Sequence, residues 1–200
     1  MGRLYKYAAV VYMKNLTTTK RPFYIARPRF FVIHLLDPHL MCIPSLHVMV
    51  VIHTYTMFAA IARELGEEEK LKEHILELRQ GALAISQAVL FVKQHSVNCI
   101  PAALYAMTCY TPALFPPEEA AAFTEQLFSP APAAESTPAG ADIARKRRMH
   151  PSAAPAVKIP PEDQAQIKSH ILNQYRQYLA EKKSDELWDE PILKFLRGLN

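Results

Sequence analysis

Three short stretches carry the residues whose types and spacing could do chemistry. In "KNLTTTKRP", Lys14 is separated by six residues from Arg21 and Pro22. In "PSLH", Ser45 and His47 open an apolar run that has no need of polar residues at its mouth. In "KQHSVNC", His95 follows Lys93 by two positions. Lysine and arginine neutralise a phosphate dianion, and the amides of a helix N-terminus add partial positive charge. Two imidazoles, titrating near neutrality, can divide a phosphoryl transfer between an attack on phosphorus and a proton delivered to the leaving oxygen. His47, at a helix start near a membrane surface, suits proton donation. Lys14, Arg21, Ser45 and Lys93 suit the holding of the phosphate. Such a site requires no cofactor and no metal.

A different chemistry draws on some of the same residues. "CIPSLH" and "HSVNC" together offer two Cys and two His, and Cys99 lies four residues after His95, on one helical face. That spacing suits tetrahedral zinc. It leaves "KNLTTTKRP" and the flanking apolar helices without a part. Cys42, Cys99 and Cys109 form an odd, widely spaced set, so no disulfide framework is implied. His34, His39 and His53 read as structural or interfacial. The net charge is +4, and the basic cluster at 145–148 stands apart from aromatic residues, so no nucleic-acid partner is expected. The start, "MGRLYKYAAVVYM", lacks the small-residue cleavage site of a signal peptide.

The elements that must position these residues follow from charge and periodicity. Between Asp37 and Arg63 there is no acidic or basic residue apart from histidine. A spanning helix needs about 20 residues, with a lower limit near 17, so residues 44–62 are a membrane-helix candidate. His53, Thr54 and Tyr55 lower its hydropathy and point one side toward protein. "RELGEEEKLKEHILELRQ" reads as a turn at Gly66 and then a helix with acids early and lysines after. That helix becomes apolar over 81–92. "KQHSVN" connects it to a second uncharged run, 99–115, whose Pro101 sits near the start, where a missing amide is tolerated. From Pro116 the character changes, and the Pro, Ala and Ser-rich stretch that follows is too poor in large apolar residues to offset ordering entropy. Beyond it, Ile167, Ile171, Tyr175 and Tyr178 share one side of an amphipathic helix, and a shorter helix follows Pro191. The sequence leaves open whether this tail packs on the core, self-associates or binds a partner.

The ordered set of motifs resembles the type-2 phosphatidic acid phosphatase superfamily, which includes the vanadium haloperoxidases and the inositol phosphorylceramide synthases. Lys14, Arg21 and Pro22 match its first motif. Pro44, Ser45 and His47 match its second, with Leu46 in place of the usual Gly, as in the branch near the inositol phosphorylceramide synthases. In the third motif His95 matches the nucleophile, while Val89 stands where Arg is common and Lys93 resembles a branch in which lysine supplies that charge. Cys99 stands where the family has the Asp that orients the nucleophilic histidine; Asn98 is adjacent and carries no charge.

The resemblance implies an all-α fold: a phosphatidic acid phosphatase-like membrane helical bundle, shortened at its N-terminus, over residues 1–115. A flexible linker, 116–160, and an amphipathic helical tail, 161–200, complete the chain. It further implies a phosphatase or phosphotransferase acting on a lipid phosphate through a phosphohistidine at His95, with His47 as the general acid. Loss of an orienting carboxylate costs about 10⁴ in rate in the serine-protease analogue. The alternative is therefore a non-catalytic member that binds a lipid headgroup or a protein partner, the latter or self-association through 161–200. The expected location is an integral membrane protein with the motifs on the outer face and, from the basic linker, the tail in the cytoplasm.

Overall fold

A computed structural model describes residues 2–15, 42–91, 96–129 and 159–199. Seven helices and no strand occur among them, so the fold is all-α. Helix α1, Gly2–Lys14, buries Leu4, Ala8, Val11 and Tyr12, a stripe with helical spacing. Ser45 is the N-cap of α2, Leu46–Glu64: its backbone is extended and its side chain accepts from the Val48 amide. The turn after α2 depends on Gly66, whose φ of 70° is the left-handed conformation that a side chain disfavours. The chain then returns along α3, Glu68–Phe91, which begins with Glu68 and Glu69 at the positive end of its dipole.

Helix α4, Cys99–Tyr110, lies at the centre of the molecule. Every residue from Cys99 to Thr108 is buried, because α1, α2, α5 and α6 pack around it. Its apolarity on all sides is that of a helix enclosed by protein. Twelve residues extend only about 18 Å, too short to cross a bilayer. Helix α2 is the one described helix long and apolar enough to cross a membrane, and 33% of its apolar window is buried inside the protein.

After α4 the chain forms α5, Pro117–Gln126, for which the sequence reading has no element. Pro at the start and Glu118 and Glu119 in the first turn favour a helix there. Ala120 and Phe123 anchor it in the core, and Arg79 of α3 bonds to both Glu119 and Gln126. The remainder of the expected linker, 130–158, lies outside the described residues.

The C-terminal helices belong to the same core. Helix α6, Pro161–Glu181, turns Ile171, Tyr175 and Tyr178 inward against α4, with Ile167 partly buried. The Tyr175 and Thr108 hydroxyls meet at 2.9 Å. Helix α7, Glu190–Arg197, buries Pro191, Ile192, Leu193 and Leu196 and packs against α1 and α6. Of the three fates the sequence left open for the tail, packing on the core is the one observed.

Candidate functional site

Two hydrogen bonds gather three motif-bearing segments at one end of the bundle. The Tyr12 hydroxyl, two residues before Lys14, donates to the carbonyl of Pro44. The Ser45 amide donates to the carbonyl of Cys99 at 3.3 Å. The C-terminus of α1, the N-terminus of α2 and the N-terminus of α4 therefore adjoin one another. Two helix N-termini at one place concentrate partial positive charge, which favours an anion.

The individual residues divide. His47 is exposed in the first turn of α2. Ser45 is fully buried, engaged with the Val48 amide and close to the Cys99 thiol, so its hydroxyl serves the helix start. Arg21, Lys93 and His95 lie outside the described residues. Lys14 is engaged by the C-terminal segment. It stands two residues beyond Tyr12, about 200° around the helix, and its Nζ lies 2.6 Å from Asp189 Oδ2.

Cys99 has no exposed surface and lies near Cys42. Burial pushes its thiol up, outweighing the hydrogen bond from Ser45, and the group is neutral at physiological pH. A neutral thiol cannot balance a positive imidazole as a carboxylate does.

Two polar residues that meet these segments, His170 and Asp189, escaped the sequence reading. His170 Nε2 lies 2.7 Å from Asn98 Oδ1, so the Asn98 side chain is spent on α6 while it caps nothing in α4. Asp189 pairs with Lys14 from just before α7. "WDEP" holds no periodic or motif signal that would single out that aspartate, one of 19 acidic residues. These contacts bring the tail to the bundle end that carries the motif segments. Lys14 touches Asp189 and Asn98 touches His170, so nothing in the structure supports the expectation that motifs and tail lie on opposite membrane faces.

Among the described residues no group of three or more His, Cys, Asp or Glu side chains could hold a metal ion. No family model, curated protein or solved structure matches the chain.

Proposed function

We propose that this is a membrane protein of phosphatidic acid phosphatase-like type that handles a lipid phosphate at the bundle end where α1, α2 and α4 meet. The observation that carries the reading is the Ser45–Cys99 backbone bond, which joins the second and third motifs. His95 precedes Cys99 by four residues in the sequence. In the proposed reaction a His95 ring nitrogen attacks phosphorus and the bond from phosphorus to the lipid oxygen breaks. His47 supplies the proton that the departing oxygen takes. Water or an acceptor hydroxyl then attacks phosphorus, the bond from phosphorus to the His95 nitrogen breaks and restores the imidazole, and the attacking oxygen returns a proton to His47. Lys14, once released from Asp189, holds the phosphate oxygens together with Arg21, Lys93 and the helix N-termini.

Attachment to the bilayer falls to α2. Its outer side carries Met57 and Phe58, partly exposed, and Ile61 at 48% exposure. The site and the tail then share one face of the membrane, which the basic cluster at 145–148 makes the cytoplasmic one. Ile61→Glu should weaken flotation of the protein with phosphatidic acid vesicles while leaving its thermal midpoint unchanged. Equal flotation would remove α2 as the membrane element.

Two observations favour the non-catalytic reading as the second: the neutral buried thiol at Cys99 and the engagement of Lys14 by Asp189. Phosphate release from phosphatidic acid by the purified full chain, compared with His95→Ala, separates them. Release that falls with His95→Ala supports turnover. Equal release in the two chains, with headgroup binding retained, leaves a binding protein.

A further inference from the structure

Lys14 is the cation of the first motif, yet an anion from the chain's own C-terminal segment already occupies it. Asp189 Oδ2 lies 2.6 Å from its Nζ, and the Asp189 side chain is 1% exposed against 38% for Lys14. The second carboxylate oxygen, Oδ1, is buried without a hydrogen-bond partner. A buried, half-satisfied carboxylate is unfavourable, so other contacts must hold it in place.

Those contacts are visible. The Trp188 ring stacks on Tyr7 at 4.0 Å between centroids and 11° between planes. The Trp188 carbonyl accepts from the Tyr105 hydroxyl at 2.8 Å. Ile192, Leu193 and Leu196 of α7 are buried beyond it. Aromatic and apolar packing thus anchors the segment, and the ion pair to Lys14 is the contact in which its buried carboxylate can be exchanged for a free anion.

We infer that Asp189 is an internal competitor for Lys14: segment 188–197 supplies a carboxylate that a phosphate anion must displace before Lys14 can bind it. The inference rests on the reading that Lys14 belongs to a phosphate site. Tethering gives the carboxylate a high effective concentration, so a diffusing phosphate competes at a disadvantage. Displacement makes and breaks no covalent bond. It exchanges one anion for another at the ammonium and leaves the buried Asp189 carboxylate without its cation, which loosens the segment around Trp188.

The probe is orthophosphate, titrated into the full chain and followed by calorimetry and phosphorus NMR line width. Asp189→Asn should bind it about tenfold more tightly than the wild-type chain, the scale of one charge-assisted hydrogen bond. The gain should vanish in the double variant Lys14→Gln, Asp189→Asn. A folded Asp189→Asn protein with wild-type affinity overturns the inference. Should that variant fail to fold, the wild-type chain decides. Bound orthophosphate should speed amide hydrogen exchange across 188–197, and unchanged exchange with phosphate bound overturns the inference while leaving the phosphate site standing. If the wild-type chain binds no orthophosphate, and Asp189→Asn binds none or does not fold, both the inference and the functional reading fall.

Discussion

Lys14 Nζ and Asp189 Oδ2, 2.6 Å apart, join the end of the first helix to the start of the last. The pair is asymmetric: the carboxylate is enclosed and the ammonium is partly in water. Removing the cation strands a charge that cannot hydrate, whereas removing the anion leaves one that can.

Lys14→Met should therefore destabilise the protein by about 3 kcal/mol or more, the scale of a buried charge left unpaired. Asp189→Asn, which keeps the shape and a polar group, should cost clearly less. Urea unfolding of the two variants measures both. Equal losses would show that Asp189 is better solvated than its burial indicates.

Cys99→Asp would restore the carboxylate of the resembling family at a position with no exposed surface. In apolar surroundings the new charge should lower stability by about 3 kcal/mol. A much smaller loss in urea unfolding would mean that a cation meets it, and His95, four residues earlier, is the candidate. A matching gain in phosphate release would identify Cys99 as the defect in an otherwise complete site.

Stability should be flat up to about pH 9 and fall above it. Burial raises the Cys99 thiol from its ordinary 9.0, and raises Tyr7, Tyr105 and Tyr178 from 10.0, so these groups stay neutral in the folded chain. The unfolded chain releases those protons first as pH climbs, and the stability they contribute is lost from the unfolded values upward. Thermal midpoints measured between pH 7 and 11 would check this. An unchanged midpoint at pH 11 would show that these groups titrate normally.

The single tryptophan, Trp188, stacks on Tyr7, so its fluorescence reports whether the C-terminal segment is docked on α1. Because α7 shares the core with α4 and α6, the fluorescence transition in urea should coincide with loss of far-ultraviolet ellipticity. An earlier fluorescence transition would make the segment an independently detaching unit.

Local pattern was enough for much of the helical framework. The charge-free run around Leu46, the turn at Gly66, the acids that open α3 and the inward side of α6 at Ile171, Tyr175 and Tyr178 all depend on residues close together in sequence. Helix periodicity, capping and left-handed turns are short-range physics, so the order of residues is sufficient to place them. Ser45 as the cap of the helix at Leu46 rests on the same short-range physics. Helix α5 was less legible, because its proline-rich start resembles the linker that follows and its anchor, Phe123, gains meaning only against Tyr55 and Phe115.

Only tertiary packing decided that α4 is apolar because protein surrounds it, that the tail is part of the core, and that Lys14 faces Asp189. An apolar helix reads alike whether lipid or protein encloses it, and a lysine carries no mark of its partner. Those choices depend on which distant surfaces fit together and on where a buried charge finds its opposite, and neither is written in any local stretch of the chain.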